Sequence, residues 1–167
     1  NCGRNCLAYL LEARRIAKLY IPIYMCATTK DVCETYNVQY EYYHIDSHFQ
    51  PIIEDSIEES AYVYIVSYYG WLTDDKIEQY RIKWKNVIVD NVQDFFRSPI
   101  LGVDTIYSCR KYFGVCDGAY LYTDAELKSD IKQDISFERF HYILGRYEED
   151  AQTYYSESAK NNYSFSG

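Results

Sequence analysis

Two short, nearly uncharged runs constrain this chain most. Tyr62 to Tyr68 and Asn86 to Asp90 hold almost only apolar and aromatic residues, with Asp90 as the closing charge. Neither run alternates in polarity, as a strand with one wet face would. Both therefore read as strands that a parallel sheet buries on two sides. Around them the signals alternate between helix and strand. Residues 5–18 place Leu7, Leu10, Leu11 and Ala17 at helical spacing, with Asn5 as an N-cap. Leu19 to Ile23 reads as a short strand. Thr28 or Thr29 opens a second helix that reaches about Tyr36, and Val38 to Ile45 reads as a strand. Thr73–Asp74–Asp75 opens a helix to about Trp84, with acids in its first turn. Strands recur at Asp104–Ser108 and Ala119–Thr123, residues 136–159 are helical in pattern, and residues 161–167 read as a polar, frayed tail.

Strands alternating with helices predict a three-layer α/β/α sandwich around a mostly parallel sheet. In such sheets a ligand meets the residues just beyond the carboxyl ends of the strands. A length of 167 residues suits one domain, set at 1–160 ahead of the tail. The single Met, at position 25, makes the chain read as processed or as a piece of a longer one.

Composition removes several function classes. A net charge of −8 weighs against nucleic-acid binding, which draws on clustered Lys and Arg. No run approaches the ~20 apolar residues of a membrane span. The cysteines at 2, 6, 26, 33, 109 and 116 form neither a Cys-x-x-Cys pair nor a zinc spacing. They read as reduced, mostly buried thiols of a cytoplasmic protein. His44 and His48 lie in strand and loop, so they read as a solvated turn and not a metal site. The acidic stretches Glu54–Asp55 and Glu148–Glu149–Asp150 read as solvated faces. The 21 tyrosines need partners for their hydroxyls, which places many at the rim of the core or at interfaces.

Three segments can carry chemistry. Asp90 ends a strand, where its carboxylate either reaches a ligand or caps the next turn. Lys111, in Ser108–Cys109–Arg110–Lys111–Tyr112–Phe113–Gly114, follows a strand and is flanked by aromatics. It reads either as an amine nucleophile partly desolvated by those rings or as a solvated surface lysine. Asn1–Cys2–Gly3–Arg4–Asn5 runs into the first helix, whose free N–H groups can meet a phosphate or simply be capped.

The order of these segments resembles the DegT/DnrJ/EryC1/StrS family of PLP-dependent sugar aminotransferases. Cys2-Gly3-Arg4-Asn5-Cys6-Leu7 is similar to the family's turn for the cofactor phosphate. Ile21-Pro22-Ile23-Tyr24-Met25-Cys26 is similar to the segment that packs on the cofactor ring, and Val66-Ser67-Tyr68-Tyr69-Gly70 to the strand and Tyr-Gly end that follow. Asp90-Asn91-Val92-Gln93 matches Asp-x-x-(Gln/His), and Lys111 falls on the Schiff-base lysine ahead of Asp117–Gly118–Ala119.

The resemblance runs to about Arg146 and implies the large domain of the aspartate aminotransferase fold type. A start and a smaller C-terminal domain would lie outside this chain. Pyridoxal 5′-phosphate is the implied cofactor. Gly3, Arg4, Asn5 and Ser108 fall on its phosphate, Asp90 on the ring nitrogen, and Gln93 beside it. Cys26 stands where relatives place an aromatic over the ring, with Tyr24 as the substitute. The implied reaction moves an amino group from an amino acid, commonly glutamate, to a nucleotide-linked keto-sugar, in a homodimer. A dehydratase relative would lack Lys111. A non-catalytic interaction module is the reading from another class.

Overall fold

A computed structural model describes residues 1–53 and 56–164. The acidic pair Glu54–Asp55 and residues 165–167 of the expected tail lie outside the described residues. Among those described, seven strands form one sheet: β1 (Lys18–Pro22), β2 (Gln39–Ile45), β3 (Pro51–Ile52), β4 (Tyr62–Val66), β5 (Val87–Asp90), β6 (Asp104–Ser108) and β7 (Ala119–Tyr122). Their spatial order is β3-β2-β1-β4-β5-β6-β7. The five central strands run parallel, and β3 and β7 close the edges antiparallel. The α/β/α sandwich expected from the alternating signals is the observed architecture.

Two apolar layers explain why the central strands do not alternate in polarity. Helices α1 (Gly3–Ala13) and α2 (Thr28–Thr35) cover one face, where Leu7, Leu10, Leu11, Val32 and Cys33 meet Leu19, Ile21, Tyr64, Val66, Ile88 and Ile106. Helix α3 (Asp74–Trp84) covers the other, where Ile77 and Trp84 meet Val63, Ile65, Val87 and Val89. Odd and even residues of β4 and β5 thus face different helices, and both sets are buried.

The local signals hold in part. Thr73 caps α3, its side chain accepting from the Lys76 N–H at 3.3 Å. Asn5 does not cap α1. The helix opens at Gly3, Cys2 is its N-cap residue without a side-chain cap, and the Asn5 amide donates to Asn1 Oδ1 at 2.8 Å. Ala27 precedes α2, so neither Thr28 nor Thr29 occupies the cap position. The helical pattern at 136–159 divides into α4 (His141–Glu148) and α5 (Tyr155–Ser164). Asp150 causes the break: its Oδ2 accepts from both the main-chain N–H and the hydroxyl of Thr153, at 2.9 and 2.7 Å. Asp46 makes a similar turn between β2 and β3, its Oδ1 accepting from the N–H groups of His48 and Gln50, both at 2.8 Å. This leaves His44 on a strand and His48 in the turn after it.

One ion pair fixes the direction of α1. Arg14, just past its end, donates from Nε and Nη2 to Asp104 Oδ2 and Oδ1 at 3.0 and 2.9 Å, at the start of β6. At the other end of the helix, a Cβ on Gly3 would lie 3.7 Å from Ile106 and 3.8 Å from Val92. Helix α1 therefore runs antiparallel to β6, and its N-terminus sits at the carboxyl ends of the parallel strands.

Candidate active site

Strands β1, β4, β5 and β6 end at Pro22, Val66, Asp90 and Ser108. Asp90 shares the parity of Ile88, so it faces α1. Both its oxygens are engaged: Oδ1 accepts from the Val92 N–H and Oδ2 from the Tyr64 hydroxyl, each at 2.8 Å. The first bond is a turn-forming contact two residues on, so Asp90 both caps its own turn and presents a carboxylate to the α1 side. Burial pushes the Asp90 carboxyl above the usual range of an aspartate. The Val92 N–H, the Tyr64 hydroxyl and the charge of Lys111 pull it back only in part.

Lys111 closes a short 3-10 turn, Cys109–Lys111, that follows β6 directly. Its side chain is exposed. The flanking rings do not enclose it, because they turn toward Phe95: the centroids of Tyr112 and Phe113 lie 5.6 and 5.2 Å from that ring. Ser108 is buried at the end of β6, opposite Ala119 of β7. Asp117, of the Asp-Gly pair after the lysine, is bound to Arg139 at 3.1 Å. The Gly118 N–H donates to Asn1 O, which joins this loop to the chain two residues before α1.

Tyr24 and Cys26 lie on the segment after β1, and both are exposed. Tyr24 packs on Tyr68 with centroids 5.6 Å apart, and the Tyr68 hydroxyl donates to Tyr24 O at 2.6 Å. Cys26 borders a groove of about 310 Å³ with Ile21, Ile23, Met25, Lys30 and Tyr42. The Gln93 Oε1 accepts from the Tyr69 N–H at 3.2 Å. The fold thus brings Gly3, Asp90, Ser108 and Lys111 to one end of the sheet. Arg4 and Asn5 stand in the first turn of α1 at that end. Gln93, Tyr24 and Cys26 stand on the neighbouring segments.

Two tyrosines of this site, Tyr64 and Tyr68, were given no site role by the sequence, although Tyr68 stands in the Tyr-Gly segment. Tyr64 holds Asp90, and Tyr68 lies near enough to feel its charge. The available signal was chemical: a phenol inside a buried strand must find an acceptor.

No family model matches the sequence, and no curated protein matches it significantly. Solved structures do match in shape. The sugar aminotransferase CalS13 from Micromonospora echinospora is 17% identical, with a TM-score of 0.54 over 88% of this chain and 44% of its own. NtdA from Bacillus subtilis, with bound cofactor PMP, is 22% identical, with a TM-score of 0.58 over 74% of this chain and 32% of its own. L-threonine-O-3-phosphate decarboxylase from Porphyromonas gingivalis is 14% identical, with a TM-score of 0.60 over 74% of this chain and 43% of its own. The chain spans less than half the length of each. It has the mostly parallel α/β fold that these aminotransferase and decarboxylase structures share.

Proposed function

We propose that this chain is the cofactor-binding part of a PLP-dependent aminotransferase. The observation that carries the reading is the convergence at one sheet end of a half-buried carboxylate, an exposed lysine and a helix N-terminus without a side-chain cap. These groups suit the three chemical ends of PLP. The opening turn of α1, with Gly3, Arg4 and Asn5, meets the phosphate, because helix N-termini favour anions. Ser108 adds a hydroxyl there. Asp90, with Gln93 beside its turn, meets the basic ring nitrogen and keeps it protonated. Lys111 Nζ would hold the aldehyde carbon. Tyr24 and Cys26 flank the ring.

Bound PLP supplies an electron sink for the negative charge left when an amino acid loses its α-proton. The rest falls to side chains. Once the donor's amine has displaced it from the aldehyde carbon, Lys111 would take the proton from the donor Cα as a free amine and return one to the acceptor half of the exchange. Asp90 holds its charge where the ring nitrogen needs a partner.

We further propose glutamate as the amino donor and a nucleotide-linked keto-sugar as the acceptor, with two copies of the protein completing the site. CalS13, a sugar aminotransferase, and NtdA, with its bound PMP, support this reading through shape alone. The experiment is a half-reaction on the full chain loaded with PLP. Glutamate should convert the cofactor to its amine form, and a nucleotide-linked keto-sugar should return it. A protein that takes up no PLP, or a loaded protein inert to every amino acid, would refute the proposal.

A further inference from the structure

We infer that Tyr64 is a positioning residue whose hydroxyl holds and orients the Asp90 carboxylate for the ring nitrogen of PLP. The inference rests on the cofactor reading above. Tyr64 lies at the centre of β4, 3% exposed, among Leu19, Val66, Ile88 and Ile106. That layer is otherwise apolar at this point, and a phenylalanine would fill the same volume. The hydroxyl therefore needs a reason, and its partner is Asp90 Oδ2 at 2.8 Å. The strand position is itself tied, since the Tyr43 hydroxyl donates to Tyr64 O at 2.7 Å.

The geometry makes this bond more than core satisfaction. Asp90 Oδ1 is held by the Val92 N–H from the turn after β5, and Oδ2 by Tyr64 from the neighbouring strand. Two donors from separate elements stop the carboxylate from rotating. Each oxygen keeps a second lone pair for a further donor. The other groups near Asp90 are Lys111 after β6, Cys6 on α1, Tyr43 on β2 and Tyr68 after β4. Burial pushes the Cys6 thiol up to about 11 and both tyrosines upward, so these three are neutral near pH 7. Lys111 and the Tyr64 hydroxyl are then the side chains that favour the ionised carboxylate against its burial.

The test begins on cofactor-free protein carrying carboxyl-labelled aspartate, with the Asp90 signal assigned by its loss in Asp90→Asn. Its midpoint is read by NMR against pH. Tyr64→Phe should raise the midpoint by about 1 pH unit, the scale of losing one hydrogen bond to a charged group. Fluorotyrosine placed at position 64 keeps the fold, donates more strongly and should lower the midpoint. A PLP titration should then show Tyr64→Phe binding about tenfold more weakly, the same change expressed in affinity. Midpoints that stay put in both variants, or unchanged PLP affinity in Tyr64→Phe, overturn the role of Tyr64 while leaving the cofactor reading intact. Midpoint shifts in the variants, together with a wild-type protein that takes up no PLP, overturn both.

Discussion

The main-chain N–H of Val92 donates to Asp90 Oδ1 across 2.8 Å, two residues along the same turn. The contact folds the chain sharply as it leaves β5. It also brings Val92 beneath Gly3, where the α1 N-terminus begins. One carboxylate thus shapes the turn that supports the helix end.

Asp90→Asn should move stability and cofactor affinity in opposite directions. Burial raises the Asp90 carboxyl in the folded chain above its value of about 3.9 in an unfolded one. An aspartate raised in this way favours folding while protonated, and that advantage is lost as pH rises through its folded midpoint. The asparagine variant should therefore match wild type in urea unfolding near pH 3 and be the more stable cofactor-free protein near pH 7, on the sign set by linkage. PLP should bind it more weakly, and its half-reaction should slow on the order of 100-fold or more. A variant less stable than wild type at neutral pH contradicts the desolvation argument.

Borohydride reduction of the PLP-loaded protein should fix the cofactor mass on the peptide holding Lys111. Peptide mapping distinguishes it from Lys18, Lys30 and Lys76, which lie on other segments. A label on any of those three moves the site away from the end of β6.

At the start of α1, size should matter stepwise. A Cβ on Gly3 makes ordinary contacts of 3.7 and 3.8 Å, so Gly3→Ala should leave PLP affinity nearly unchanged. The branched side chain of Gly3→Val crowds Ile106 and Val92 and should weaken it more than Arg4→Ala does, because backbone N–H groups carry the anion site. Equal affinity for wild type and Gly3→Val, measured by titration, would place the phosphate elsewhere.

Arg14→Met should destabilise the fold by about 3 kcal/mol, the cost of stranding a buried charge. Among the described residues, Asp104, 5% exposed, would keep the Thr123 hydroxyl at 2.6 Å. Lys30→Met, which removes an exposed i,i+4 contact to Glu34, should change little. Urea unfolding of the two variants separates the cases.

Thiol labelling near pH 7.5 should modify Cys26 first, since the thiolate is the reactive form and exposure governs access. Cys26 is exposed, whereas burial pushes the Cys6 and Cys33 thiols up to about 11. Mass spectrometry at short times reads the order. Cys6 or Cys33 reacting ahead of Cys26 would show that the α1–α2 layer opens.

The sequence by itself determined the layered fold. Runs such as Tyr62–Tyr68 and Val87–Val89 are apolar on both parities, and only a sheet covered on two faces buries both. Asp90 and Lys111 stood out because one ends a strand and the other follows one. Helix starts were less legible: Thr73 caps α3 as expected, but Asn5 lies inside α1 and bonds Asn1. What tertiary structure alone decided is which residues meet. Gly3, Tyr64 and Asp90 are far apart in sequence and converge because α1 runs antiparallel to β6 while β4 pairs with β5. Lys111 is exposed because its aromatic neighbours pack on Phe95, a ring sixteen residues earlier, counted from 95 to 111. A side chain's partners across a sheet depend on strand order and helix direction, which no local pattern of residues encodes.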